Sequence, residues 1–326
     1  MKAHLWVASG DGLFWFQQEG AAWSQVGHAL AGSDLTCVEA SDGAVIVGSV
    51  DGVMRSLDSG ATWQAADAGL TVRHARSVAS HPAVPGLVLL GTEPAAIFRS
   101  EDYGATWTNC PEIAGLRKTG RWFLPYSPES GCIRGLAFHG EQAYAAAEVG
   151  GALRSNDAGR TWQLTEGSTG VAEFQDPPPH HIHPDVHSIL THPGSADLVY
   201  APTGGGFYLS RNGGKMWELR YECYCRAVWV DPADPDHLIL GPADNVDANG
   251  RIEQSRDGGL TWQAASMGLK VPWRRHMVER FTEVGEGLLA VLSNGEVLFA
   301  DFDGLEWRPI LEEAPDVRAI TVSDQW

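Results

Sequence analysis

The chain has 326 residues, of which 44% are apolar and 20% charged, and this composition predicts one large globular domain. Its formal net charge of −18 disfavours general binding to nucleic acids or to anionic membranes. No apolar run is long enough to span a membrane, no signal peptide is visible, and the five cysteines lack C-x-x-C spacing, so we expect a cytoplasmic protein.

Seven tryptophans recur along the chain, most of them at the end of a short turn rich in Ser, Asp and Gly. Four copies are complete, with the form Ser-x-Asp-x-Gly-x-Thr-Trp: Ser56–Trp63, Ser100–Trp107, Ser155–Trp162 and Ser255–Trp262. Ser210–Trp217 is degraded, and the copies that end at Trp23 and Trp307 are barely recognisable. Spacing of roughly 40–50 residues with several strands in each unit indicates a β-propeller.

Each unit reads as four short strands, with the Ser/Asp/Gly turn joining the third strand to the fourth. Alternating apolar and polar residues precede the turns, as at Ile97–Ser100, and Asp and Gly suit a tight hairpin connection. Residues 317–322 form an unpartnered innermost strand, and residues 4–8, 13–16 and 22–26 supply the other three strands of one blade. We therefore predict an all-β, seven-bladed propeller over residues 1–326, with four antiparallel strands per blade and a ring closed by its terminal strands.

These turns resemble the Asp box, or bacterial neuraminidase repeat (BNR), of a propeller family. That family includes sialidases, xyloglucanase-type glycoside hydrolases, sortilin-type receptor domains and photosystem II assembly factors. The resemblance covers the whole chain and implies that the boxes are structural and face away from any active site. The N-terminal Arg-Ile-Pro motif that the sialidase branch would carry is absent from residues 1–16.

Two connections between blades are long, namely the 26 residues after Trp107 and the 24 residues after Trp162. Long loops on a rigid scaffold concentrate binding residues, so we predict the ligand-binding face there. Aromatic and basic residues in the connections are predicted to contact a ligand: Arg121, Trp122, Tyr126 and Trp273.

The innermost strands share the pattern x-Arg-x-apolar near their beginnings. The pattern predicts a ring of basic side chains at the mouth of the central channel, made of Arg76, Arg134, Arg226, Arg280, Arg318 and His187, with Thr36 at the same position in the one remaining blade. Guanidinium groups suit carboxylates and phosphates, so the ring predicts an anion site. The alternative is structural, with each arginine paired to a carbonyl or carboxylate of the adjacent blade.

Acidic and phenolic groups near this mouth are candidates for glycoside hydrolysis: Glu148, Asp185, Glu222 and Tyr224. The alternative is that Glu148 and Asp185 simply neutralise the arginines of the ring. The segment 176–187 also offers ligands for a divalent metal ion, namely His181, His183, Asp185 and His187.

We therefore expect a propeller that binds an anionic small molecule, a carbohydrate or an acidic protein segment, without nucleic acid or membrane as partner. No cofactor is expected beyond the divalent metal ion just described. A glycoside hydrolase that uses the acidic residues and Tyr224 is the alternative, and the sequence leaves open whether the protein is an enzyme.

Overall fold

A computed structural model describes residues 3–19, 22–124, 126, 131–172, 176–311 and 316–324. These residues form seven four-stranded antiparallel sheets arranged as the blades of a propeller, which confirms the predicted fold. Among the described residues, no helix is long and apolar enough to cross a membrane.

The strands are numbered in chain order, and each blade begins with its innermost strand except where stated. Blade 1 contains β1 (Ala3–Ser9), β2 (Gly12–Glu19) and β3 (Ala22–Ala29), and its innermost strand is the last of the chain, β28 (Val317–Asp324). Blade 2 contains β4 (Leu35–Ser41), β5 (Ala44–Ser49), β6 (Val53–Ser56) and β7 (Gln64–Ala65). Blade 3 contains β8 (Ala75–Ser80), β9 (Val88–Thr92), β10 (Ile97–Ser100) and β11 (Thr108–Asn109).

The remaining four blades follow the same order. Blade 4 contains β12 (Cys132–His139), β13 (Gln142–Glu148), β14 (Gly151–Ser155) and β15 (Gln163–Leu164). Blade 5 contains β16 (Leu190–His192), β17 (Ser195–Thr203), β18 (Gly206–Ser210) and β19 (Glu218–Tyr221). Blade 6 contains β20 (Tyr224–Asp231), β21 (Asp234–Ala243), β22 (Glu253–Ser255) and β23 (Gln263–Ala264). Blade 7 contains β24 (Val278–Val284), β25 (Gly287–Leu292), β26 (Val297–Asp301) and β27 (Arg308–Pro309).

The two ends of the described chain close the ring within blade 1. Strand β28 pairs antiparallel with β1, so that Leu5 lies opposite Val322 and Val7 lies opposite Ile320. Leu5 and Val7 are completely buried, in a cluster that also includes residues of blade 7. Closure therefore removes the free sheet edges that an open ring would expose.

The Asp boxes hold their own turns together, as the box after β6 illustrates. Asp58 accepts hydrogen bonds from the Ser56 hydroxyl at 2.7 Å, from the Thr62 amide at 2.8 Å and from the Thr62 hydroxyl at 2.6 Å. Gly60 takes the left-handed conformation that the turn requires, with φ of 86°, and its carbonyl accepts from Trp63 Nε1 at 3.1 Å. The hydrogen bonds from Thr62 and Ser56 lower the pKa of Asp58 to about 2. The Asp58 carboxylate therefore serves to stabilise the turn.

The two long connections pack against each other. The first contains helix α1 (Glu112–Gly120), which ends at Arg121 in the left-handed conformation. A Cβ on Gly120 would come within 1.9 Å of the Gly170 carbonyl in the second connection, so only glycine permits this approach. Trp122 Nε1 donates to the same carbonyl at 2.8 Å. The two connections therefore form one packed layer between blades 3 and 5.

Candidate functional site

The central channel holds a cavity of about 490 Å³ that is lined by the beginnings of the innermost strands. All seven positions that the sequence pattern aligned lie on its wall, and Glu279 joins them. These seven positions and Glu279 together are Thr36, Arg76, Arg134, His187, Arg226, Glu279, Arg280 and Arg318. We call these eight residues the channel ring.

Register shifts explain how these side chains come to line the channel. Pairing between the first two strands of a blade skips one residue, so Ile133 is opposite Ala147 and Gly135 is opposite Ala146, leaving Arg134 unpaired. Equivalent shifts leave out Thr36 in blade 2 and Arg76 in blade 3. Such bulges change the direction in which a side chain points. Here they lie at the strand ends that border the channel.

Blade 7 corrects one residue of the predicted alignment. Its register shift lies between Val278 and Arg280, so Glu279 takes the position predicted for Arg280. Sequence reasoning missed Glu279. The feature of the sequence that could have identified Glu279 is the buried apolar residue directly before it. Val278 precedes Glu279 as Ile133 precedes Arg134.

Glu279 links two arginines across the channel. Its carboxylate lies 3.1 Å from Arg134 and also forms an ion pair with Arg226. Burial alone would lower the pKa of Arg134, but the carboxylates of Glu148 and Glu279 outweigh it and raise that pKa. Burial would likewise raise the pKa of Glu279, yet the two guanidinium groups lower it. The three side chains form a charged bridge across the ring.

Two further arginines are paired at the ring's periphery. Arg76 lies 3.6 Å from Glu93, and Arg318 lies 2.8 Å from Asp316 and also pairs with Asp34. The structural interpretation requires a partner from the adjacent blade. Arg226 has such a partner in Glu279 and Arg318 has one in Asp34, whereas Arg76 pairs within its own blade.

Arg280 differs from the other ring arginines. Within the described part of the chain its side chain forms no hydrogen bond and no ion pair, although it lines the cavity. The residue is exposed in the channel, although strands of several blades surround it. Desolvation by these strands lowers its pKa and the charge of Arg134 adds to that effect, whereas the charges of Glu279 and Glu39 oppose it. Arg280 is thus a cation of the ring that lacks a direct counter-ion.

An acidic cluster lies beside the ring, next to Arg134. Glu148 is only 7% exposed and its carboxylate lies 3.4 Å from both Arg134 and the Tyr126 hydroxyl. Asp185 lies 3.2 Å from Nε2 of His187. Atoms of Glu148, Asp185 and His187 approach within 4.8 Å of one another. The predicted candidates Glu148 and Asp185 are therefore neighbours.

Tyr224 connects this cluster to the ring. Its hydroxyl accepts hydrogen bonds from Arg226 at 3.1 and 3.3 Å and lies 3.3 Å from Nε2 of His187. Burial raises the pKa of Tyr224, while the charge of Arg226 opposes that increase. The residue stays a neutral hydrogen-bonding group at physiological pH.

The four predicted metal ligands lie in two different places. His181 and His183 line a separate cavity of about 860 Å³ together with Glu222 and Tyr224. His181 is engaged with the carbonyl of Pro179, whereas His183 accepts from the Asp185 amide at 3.2 Å. Asp185 and His187 lie instead with Glu148. Only Asp185 and His187 of the predicted set belong to the cluster with Glu148, and metal binding by the four residues stays a prediction.

Three other predicted contacts lie away from the ring. Trp122 is a core residue with 1% exposure, so in this structure its ring offers no surface on which a ligand could stack. Arg121 is exposed at the end of α1, and Trp273 packs against the core between blades 6 and 7 and against His276. None of the three lines the central cavity. Tyr126 remains 62% exposed and close to Glu148.

Solved structures with the same fold cover most of this chain. The GH74 xyloglucanase from Xanthomonas campestris is 17% identical with a TM-score of 0.64, over 96% of this chain and 47% of that one. An ancestral GH74 enzyme is 18% identical with a TM-score of 0.62, over 93% and 40%. YCF48 from Cyanidioschyzon merolae is 16% identical with a TM-score of 0.63, over 91% of both chains.

These likenesses establish the fold and match two groups named by the sequence resemblance, the xyloglucanase-type hydrolases and the photosystem II assembly factors. This chain spans less than half of the GH74 enzymes but nearly the whole of YCF48. No protein-family model matches the chain, and no curated protein matches it.

Proposed function

We propose that the protein is a binding propeller whose channel ring takes an anionic group, a carboxylate or a phosphate, on Arg280. The observation that carries this proposal is that no described residue is a direct counter-ion for Arg280, inside a cavity that four other arginines also line. A guanidinium offers a fork of donors that fits either anion in bidentate geometry. A bound anion would also offset the repulsion from Arg134.

The dimensions of the cavity restrict the ligand. A volume of about 490 Å³ lies within the range of roughly 300–1,000 Å³ that is usual for small-molecule sites. It admits a small organic acid, a sugar acid or the acidic end of a protein segment. Proteins of this fold have been solved as GH74 hydrolases and as YCF48 bound to D1 peptide, so both carbohydrate and peptide ligands have precedents among the neighbours.

Titration of the full chain with citrate, glucuronate and inorganic phosphate, followed by calorimetry and thermal shift, tests the proposal. Arg280→Gln removes the unpaired cation, and we expect at least a tenfold loss of affinity, because charge-assisted hydrogen bonds contribute about 1.5–3 kcal/mol. Arg318→Gln is the matched control, since this ring arginine already pairs with Asp34 and Asp316. Equal binding by Arg280→Gln and the unaltered protein would reject the site.

A glycosidase remains the second candidate because of one distance. Retaining glycosidases place two carboxyl groups roughly 5–5.5 Å apart, and those of Glu148 and Asp185 approach within 4.8 Å. Both carboxylates are largely buried and already face Arg134 and His187, an arrangement that favours binding over hydrolysis. Turnover of aryl glycosides or xyloglucan that disappears in Glu148→Gln, with ligand binding retained, would establish the enzyme instead.

A further inference from the structure

Three metal-ligand groups converge where the second long connection meets blades 4 and 5. Glu148 is the last residue of β13, whereas Asp185 and His187 precede β16. One ligand atom from each lies within 4.8 Å of the others, with His187 2% and Glu148 7% exposed. Groups placed this closely could contact one ion, since zinc–ligand distances are about 2.0–2.2 Å for nitrogen and oxygen.

The orientation of His187 favours a ligand role. Its Nδ1 lies 2.9 Å from the Cys225 carbonyl, which can only accept, so Nδ1 carries a proton. Nε2 is then the atom directed at Asp185 and Tyr224. Metal-binding histidines are commonly held in this way, with the second ring nitrogen donating to a carbonyl that fixes the tautomer.

Asp185 provides a second, independent observation. Oδ2 of Asp185 faces His187, but its Oδ1 is buried and has no hydrogen-bond partner in the described residues. A buried carboxylate oxygen without a partner is costly, and a coordinated cation removes that cost. Gly204 packs directly against this carboxylate, since a Cβ at that position would lie 2.3 Å from Oδ2.

The charges around Glu148 and Asp185 also permit a bound cation. Glu148 faces Arg134 at 3.4 Å, a long contact, and Arg134 is shared with Glu279. Asp185 has only His187 as its ionic partner in the described residues. We propose that Glu148, Asp185 and His187 bind one divalent cation. Their mixed nitrogen and oxygen atoms suit Zn²⁺ or Mn²⁺ better than Ca²⁺, and coordination positions remain for water or an anion. The proposal does not use Arg280, so it does not depend on the function proposed above.

The experiment uses the full chain after treatment with EDTA and dialysis. Calorimetry with Zn²⁺ should give one high-affinity equivalent, and Co²⁺ should produce the visible absorption of a site with nitrogen and oxygen ligands. Asp185→Asn and Glu148→Gln keep the side-chain shapes, and each should weaken Zn²⁺ binding at least tenfold. Circular dichroism of the metal-free variants checks that each one folds.

The chain contains a matched control in blade 6. Asp231 and His237 form a similar pair, 3.0 Å apart, outside the three-residue cluster. Asp231→Asn should therefore leave Zn²⁺ binding unchanged. His181→Gln separates the proposed site from one built on the proline-rich segment and should also have no effect, because His181 contacts the Pro179 carbonyl and none of the three proposed ligands. Absence of Zn²⁺ binding by the unaltered chain, or binding that survives both Asp185→Asn and Glu148→Gln, would overturn the proposal.

Discussion

The two ends of each blade use charge in different ways. At the Asp-box end, Ser100, Asp102 and Thr106 bond to one another within the same turn, and the arrangement recurs almost unchanged around Asp157 and Asp257. At the channel end, the same strand position holds Thr36, Arg76 or Glu279, and each has a different partner.

This difference separates structural repetition from function. An Asp box satisfies itself, so every blade can carry the same copy without reference to its neighbours. The channel ring combines pairs within one blade, such as Arg76 with Glu93, and pairs between blades, such as Arg226 with Glu279, and among the described residues it leaves the Arg280 side chain without a direct partner. A binding site in a propeller is therefore expected where equivalent positions differ, because identical positions serve the shared scaffold.

The largest effect is expected from breaking the ring itself. Deleting residues 316–326 removes β28, exposes the buried edge that includes Leu5 and Val7, and opens blade 7 to solvent. The Asp-box turns and the channel ring should then unfold together, because both belong to one closed ring of blades. Size-exclusion chromatography should show no soluble monomer. A truncated chain that melts like the full chain would contradict closure by β28.

The next largest effect is expected at the channel end. Glu279→Gln removes the carboxylate shared by Arg134 and Arg226, whose side chains are 21% and 14% exposed. Breaking a buried pair costs about 3–5 kcal/mol, and partial exposure reduces our expectation to about 2 kcal/mol of unfolding free energy. Anion affinity should rise by about tenfold, since Arg226 loses its carboxylate partner and Arg134 keeps only Glu148. Reduced stability without tighter anion binding would make the ring as purely structural as the boxes.

Glu279 also shows what the sequence could and could not predict. The boxes were recognisable because their interacting residues lie within eight positions of one another, so the repeats alone predicted blades, strand count and closure. The pair of Arg134 and Glu279 joins residues 145 positions apart. Two charged residues follow Val278, and only the register shift decides which one takes the ring position. The burial of Trp122 could not be predicted for a related reason, because it depends on contact between the two long connections.

At the Asp-box end, a smaller and purely structural effect is expected. Asp157→Ala removes the acceptor for the Ser155 hydroxyl and for the amide and hydroxyl of Thr161. The turn is exposed and water replaces part of what is lost, so we expect a decrease of about 1 kcal/mol in unfolding free energy. Anion binding should be unchanged, as urea denaturation and calorimetry on the same variant can show. A change in anion affinity would mean that the two ends are coupled.

The smallest effects concern pH, and the two kinds of site should respond in opposite directions. The folded pKa of Asp58, Asp157 and Asp257 is lowered to about 2 from an ordinary value of 3.8. Their stabilisation is therefore fully present above about pH 4 and is lost as pH falls through about 2. Glu39 on the innermost strand β4 is the opposite case, because burial raises its pKa to about 7. Its folded form retains a proton that the unfolded chain releases, so stability should decrease as pH rises from about 4.5 to 7.

Thermal melting across pH 2–8 separates the two contributions. Glu39→Gln should flatten the decline between about pH 4.5 and 7, since glutamine is neutral throughout and can still accept from the Ser80 amide, which lies 3.3 Å from the carboxylate. Asp157→Ala should instead reduce the loss of stability below about pH 4 and leave the neutral region as it was. If Glu39→Gln leaves the slope near neutrality intact, the Glu39 carboxylate is hydrated and charged in the folded protein. The innermost strand would then titrate like the exposed Asp-box end, and the contrast between the two ends would rest on ion-pair geometry alone.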